Sequence, residues 1–208
     1  MKKLFLASSF KDVANIFADF EKDLKGKTVT FIPTASKVEK VVFYVNSGKK
    51  ALQKLGLIID ELDISTASND EINSKLRNND FIYITGGNTF FLLQELKKTG
   101  ADKIIIDEIN KGKLYIGESA GAIVTSANIE YVKRMDDVKK APNLTEFSGL
   151  NVVDFYVIPH YTNFPFEKTV EKIIEDYSSK LNLSPISNKD AILVVDNKID
   201  FIQSKKEK

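Results

Sequence analysis

Leu114-Tyr115-Ile116-Gly117-Glu118-Ser119-Ala120-Gly121-Ala122 is the stretch from which the rest of the chain can be read. An apolar run ends at Gly117, and Ser119 follows among small residues that open another apolar segment. This is the G-x-S-x-G pattern of a nucleophile elbow, in which a strand turns sharply into a helix and presents serine at the bend. The glycines suit the unusual dihedrals and the close approach of strand and helix. Ala120 keeps the space beside the serine clear. Its N–H, at a helix start, is positioned to face a developing oxyanion. Small residues also follow strands for packing alone, so the reading depends on what surrounds the motif.

Working outward, short apolar runs alternate with amphipathic stretches. Leu4 to Ser8, Thr28 to Pro33, Leu57 to Leu62 and Phe81 to Ile84 read as buried strands. Asp12 to Leu24 repeats Val13, Ile16, Phe17 and Phe20 at helical spacing. Ser36 is expected to cap a long helix to Leu55, with Val38, Val41, Val42, Val45 and Leu52 on one side and Gly56 ending it. Ser68 and Glu71 resemble a capping box. Thr89 to Lys98 and Ala101 to Asn110 complete the helices before the elbow strand. Near-continuous apolar strands alternating with helices predict an α/β fold, a mostly parallel sheet covered on both faces. Functional loops then gather beyond the strands' carboxyl ends. Glu130 to Phe147 reads as a long loop, and Val152 to Pro159 returns to strand. Glu167 to Leu181 is an amphipathic helix, and residues 191–195 and 199–202 form an edge hairpin. Ser204 to Lys208 reads as a frayed basic tail. With no repeat or linker, residues 1–208 read as one domain.

Composition excludes several function classes. The chain has 208 residues, 43% hydrophobic and 28% charged, with a net charge of +1. Nothing in that balance favours a nucleic acid or membrane partner. The absence of cysteine excludes disulfides, thiol nucleophiles and cysteine zinc sites. The N-terminal apolar run is too short for a signal peptide, and no run is long enough to span a bilayer. The expectation is a cytoplasmic protein.

Serine needs a base near neutral pH, and imidazole is suited to that task. His160 is the single histidine and follows the strand ending at Pro159. A third group should orient the imidazole. Glu130, Asp136 and Asp137 lie in the interval between serine and histidine, although each also reads as a solvated acid beside Lys133 and Arg134. Tyr83-Ile84-Thr85-Gly86-Gly87-Asn88-Thr89 places a double glycine at a strand end. Its open N–H groups could complete an oxyanion hole with Ala120.

Gly86-Gly87-Asn88-Thr89, Gly117-Glu118-Ser119-Ala120-Gly121-Ala122 and Ile158-Pro159-His160-Tyr161 together resemble, in order and spacing, the peptidase E-like serine peptidases, which include the aspartyl dipeptidase and are related to cyanophycinase. The resemblance spans nearly the whole chain. It implies a fold like the class I glutamine amidotransferases, with Ser119 as nucleophile, His160 as base and the Gly87 and Ala120 N–H groups as oxyanion donors. It implies an acid shortly after the elbow helix, where Asp136 matches best and Asp137 next. It also implies hydrolysis of small peptides with no metal and no cofactor, by a monomer or homodimer. An esterase of another α/β class and a non-catalytic binding relative are the competing readings.

The aspartyl dipeptidase needs a cation for the substrate's aspartate, and the segment Tyr161 to Lys168 has no arginine. Phe164 and Phe166 there could line an apolar pocket. Asn88 and Arg134 are candidate substrate contacts, with Lys133 and Lys168 as other cations. Strict specificity for amino-terminal aspartate is therefore not expected.

Overall fold

The structure, a computed structural model, describes residues 1–204. Five strands supply a parallel sheet: β1 (Lys3–Ala7), β2 (Thr28–Ile32), β3 (Ile58–Glu61), β4 (Phe81–Ile84) and β5 (Leu114–Glu118). The sheet runs in the order β3-β2-β4-β5-β1. A final hairpin, whose strands Asp190–Val195 and Lys198–Gln203 we number β8 and β9, extends it antiparallel beyond β1. All four residues of β4 and all five of β5 are buried, as strands covered on both faces require.

Two apolar layers cover the sheet. Helices α1 (Phe10–Phe20) and α2 (Phe43–Lys54) pack Phe10, Val13, Phe17 and Leu52 on one face. On the other lie α3 (Asn69–Asn78), α4 (Thr89–Thr99), α5 (Ala101–Asn110), the short α6 (Ala120–Ile123) and α7 (Glu167–Tyr177). The Ser68 hydroxyl caps α3 by accepting from Glu71 N at 3.2 Å. Register fixes what meets at the carboxyl edge. Ala7 lies opposite Glu118 and Ile84 opposite Gly117, so Ser8, Gly86 and Ser119 emerge side by side.

Two expectations fail. Ser36 does not cap a long helix: Thr34–Val38 is a 3-10 turn, residues 39–42 are irregular, and α2 begins at Phe43. The Ser36 hydroxyl turns back to donate to Pro33 O at 2.7 Å. The glycine loop docks here, with Asn88 N donating to Ala35 O at 2.8 Å. Val41 and Val42, expected on a buried face, are exposed. The second failure is the strand over residues 152–159. Only β6 (Tyr156–Ile158) forms, and it pairs with β7 (Leu183–Pro185) in a separate two-stranded parallel sheet. The histidine therefore follows a strand outside the main sheet. Of the basic tail, residues 205–208 lie outside the described residues.

Candidate active site

Ser119 leaves β5 with φ 49° and ψ −106°, a backbone strained for a residue with a Cβ. Its N–H donates to Ala7 O at 2.8 Å, which ties the bend to the neighbouring strand. The flanking glycines have no room for side chains. A Cβ on Gly117 would lie 2.5 Å from Gly121 O, and one on Gly121 would lie 2.3 Å from Ile84 O. Strand and helix can meet this closely only because both positions lack a Cβ.

The structure brings Ser119 and His160 together, with Oγ 3.0 Å from Nε2. His160 Nδ1 lies 2.8 Å from Asn188 Oδ1. An amide oxygen only accepts, so Nδ1 carries the proton and Nε2 presents its lone pair to the serine hydroxyl. The His160 backbone has a positive φ of 63° and is pinned by its N–H, which donates to Ser8 Oγ at 3.0 Å. The Ser8 hydroxyl in turn donates to Ile186 O at 2.9 Å. Phe166 stacks on the imidazole at 4.8 Å between ring centroids. Burial holds the imidazole below the usual histidine range, against the opposing pull of Asn188.

The acids named from sequence lie elsewhere. Asp136 accepts from Thr89 N at 2.8 Å through Oδ2, at the start of α4. Burial pushes its carboxyl up to about 6. Asp137 accepts from Lys139 N at 2.9 Å and caps the 3-10 turn Val138–Lys140. Glu130 is held by Lys133 at 2.6 Å, on the surface. None of the three has a hydrogen bond to His160 in the structure; the position they were expected to fill is held by Asn188. The physical reason is that Asp136 and the Asp137 carbonyl are tied to the start of α4, by Thr89 N and the Asn88 amide.

The proposed substrate contacts also move. Asn88 is buried as the cap of α4, accepting from Phe91 N and donating to Asp137 O at 3.1 Å. Arg134 turns to Asp176 on α7 at 2.7 Å. Lys133 lies over the Phe147 ring, and neither Arg134, Lys133 nor Lys168 lines the cleft. Lys11 and Lys140 do, and Lys140 is paired with Glu39 at 2.7 Å.

The cleft has a volume of about 820 Å³ and is lined by Ser119, His160, Asn188, Gly86 and Gly87 among others. Phe164, 88% exposed, and Phe166 stand on its wall. Gly87 has φ 135°, and a Cβ there would lie 2.2 Å from the Ala35 carbonyl carbon. Ala120 opens α6, where the first N–H groups have no acceptor within the helix. Beneath them, Glu118 is buried. It accepts from Phe10 N at 2.9 Å and Tyr83 Oη at 2.7 Å, and from the Gly86 backbone. Burial raises its carboxyl above the usual range. Among the described residues no group of three or more His, Cys, Asp or Glu is placed to hold a metal ion. None of their helices is long and apolar enough to cross a membrane.

Sequence reasoning missed Ser8, Glu118 and Asn188. Ser8 ends the first strand at the sheet edge where sites gather, and that was a usable signal. Asn188 lies in the polar turn Ser187-Asn188-Lys189, which looks like any hairpin approach.

Comparison with known proteins shows the family of the chain. The family model for peptidase family S51 matches residues 4–202. A protein of Listeria innocua described as an uncharacterized peptidase is 63% identical over 199 residues, covering 96% of this chain and 95% of its own. Peptidase E of a Nostoc species is 30% identical over 155 residues, covering 73% of this chain and 61% of its own. A crystal structure assigned to peptidase E from Listeria monocytogenes superposes with a TM-score of 0.96 at 59% identity. That match covers 99% of this chain and 100% of the other.

Proposed function

Because the chain belongs to peptidase family S51 and is a serine-type peptidase, we propose that it hydrolyses small peptides through an acyl-enzyme formed on Ser119. The observation that carries this is the 3.0 Å contact between Ser119 Oγ and His160 Nε2 at a strained elbow on the cleft wall. Ser119 Oγ attacks the peptide carbonyl carbon while its proton passes to Nε2. The Gly87 and Ala120 N–H groups receive the oxyanion. The imidazolium then returns its proton to the leaving amine, and water repeats the sequence to release the acid.

Asn188 takes the third position. Its amide fixes the tautomer and the ring plane but adds no negative charge. The imidazolium is thus oriented without a carboxylate to stabilise it, which predicts a slower chemical step than a carboxylate triad gives.

Specificity follows from the lining. Five carboxylates, on Asp12, Glu39, Glu118, Asp136 and Asp137, face two lysines, Lys11 and Lys140. With no arginine to clamp a planar carboxylate, the substrates are peptides whose first side chain need not be acidic. The test joins a fluorophosphonate probe to a dipeptide panel with Asp, Leu, Phe and Lys in first place. Labelling of Ser119 with cleavage beyond Asp-X is expected. An unlabelled Ser119 and no cleavage would reject the peptidase mechanism, and cleavage of Asp-X alone would reject the specificity.

A further inference from the structure

The imidazole of His160 has two in-plane partners, Ser119 Oγ and Asn188 Oδ1, and neither side chain is charged. Against its face lies Phe166, the residue before α7, with ring centroids 4.8 Å apart and planes 21° from parallel. The chain builds this contact with two successive turns. Asn163 N donates to His160 O at 2.9 Å, and Phe166 N donates to Asn163 O at 2.8 Å. Asn163 Oδ1 also accepts from Asn188 N at 2.8 Å. One asparagine thus ties together the base, the amide that orients it and the aromatic ring. The Phe166 carbonyl accepts from Val170 N at 2.8 Å, so α7 holds the ring from the other side.

A charged imidazole at this site has little other support. Among the described residues no charged side chain hydrogen-bonds the ring. Glu118 is turned to Phe10 N and the Tyr83 hydroxyl, Asp136 to Thr89 N and Asp137 to Lys139 N. Glu39 and Lys140 hold each other, and Lys11 and Asp12 stand on α1. Asp190, close to Asn188 in sequence, accepts from Ser187 N at 2.7 Å. Glu167 and Lys168, beside Phe166, are exposed. Burial meanwhile favours the neutral ring. The face of a benzene ring is negative, and a cation within about 6 Å of its centroid is attracted to it. An imidazolium at 4.8 Å lies within that reach, whereas a neutral imidazole is attracted much less.

We propose that Phe166 is a positioning residue that stabilises the imidazolium form of His160, its π face supplying part of the support that a carboxylate in the third position would give. The kinetic consequence rests on the peptidase reading of the same site. The imidazolium forms as Ser119 gives up its proton, so Phe166 acts on that step through the base.

The chain has one histidine among 208 residues, so its Cε1–H resonance is unambiguous in the full-length protein. Proton NMR titration of wild type, Phe166→Leu and Phe166→Tyr tests the assignment with no substrate present. Phe166→Leu is expected to lower the histidine's pKa by about half a unit, and Phe166→Tyr to keep the wild-type value. The sign separates this role from packing, because a leucine that merely fills less space would admit water and raise the value. At pH 8, kcat on the best dipeptide of the panel should fall about threefold in Phe166→Leu, the same half unit, and recover in Phe166→Tyr. Phe166→Ile carries the same expectation should the leucine variant fail to fold. A pKa unchanged or raised on loss of the aromatic ring overturns the assignment and leaves the peptidase reading standing. The expected pKa shift, in a protein whose wild type cleaves no dipeptide, supports the assignment and overturns the peptidase reading alone.

Discussion

His160 Nδ1 and Asn188 Oδ1 are 2.8 Å apart, so the imidazole that faces Ser119 is oriented by an amide. An amide accepts the Nδ1 proton as a carboxylate would, but it leaves the imidazolium without a partner charge. Asn188→Asp should therefore raise the histidine's pKa, because a neighbouring carboxylate favours the charged ring. The expected result is a pH–rate inflection about one unit higher, with kcat at pH 8 equal or greater. Asn188→Ala should lower kcat about tenfold or more with KM little changed, since it frees the ring to turn. An Asn188→Ala enzyme with wild-type kcat would show that the amide does not orient the base.

The wild-type pH profile has a definite sign. In the proposed mechanism the base is neutral imidazole, and burial holds His160 below its ordinary value of 6.5. Activity should be absent in acid and rise through an inflection below that value, then stay level through pH 7 to 8. Initial rates between about pH 4.5 and 8.5 test this. An inflection above 7 would mean that a negative charge faces the ring.

Asp136 sets the pH dependence of stability in one window. Its folded carboxyl is raised to about 6 from an ordinary 3.8, so between those values the folded state holds a proton that the unfolded state has released. Stability from this group is then greatest in acid and is lost as pH rises to about 6. Asp136→Asn resembles the protonated form. Its advantage over wild type in urea melts should grow by roughly 2 kcal/mol between pH 4 and 7.5. A constant difference would mean that the carboxyl is not perturbed.

The elbow's strain is measurable with two inactive variants. Ser119→Ala keeps the Cβ at φ 49°, whereas Ser119→Gly removes it. Both should abolish turnover. The glycine variant should nevertheless be more stable by about 1 kcal/mol, because relief of the strain exceeds glycine's greater unfolded-state entropy. Thermal melts decide it, and a more stable alanine variant would show an unstrained bend.

The parallel sheet was legible because its strands are unbroken apolar runs separated by helical periodicity. The elbow was legible because Gly117 and Gly121 answer steric demands that few sequences meet. What escaped notice was tertiary. Val38, Val41 and Val42 fit a helical face, yet the docking of Asn88 on Ala35 stops any helix before Phe43. The strand reading at residues 152–159 was right only for Tyr156–Ile158, because its hydrogen-bonding partner comes from β7. Charge patterning points to acids for the third member of the site. The chain instead brings an uncharged residue from the far side of α7.

The proposed nucleophile and base stand on different frameworks. Ser119 belongs to the seven-stranded sheet and His160 to the small β6–β7 pair, and no strand pairing among the described residues joins the two. Ser8 is the pin between them, through Ile186 O at 2.9 Å and His160 N at 3.0 Å. Activity and foldedness should then part company on warming. A slip of a few tenths of an ångström between frameworks lengthens the Oγ–Nε2 contact while both cores stay packed. Heat inactivation should precede loss of helical circular dichroism, and Ser8→Ala should widen the interval between the two.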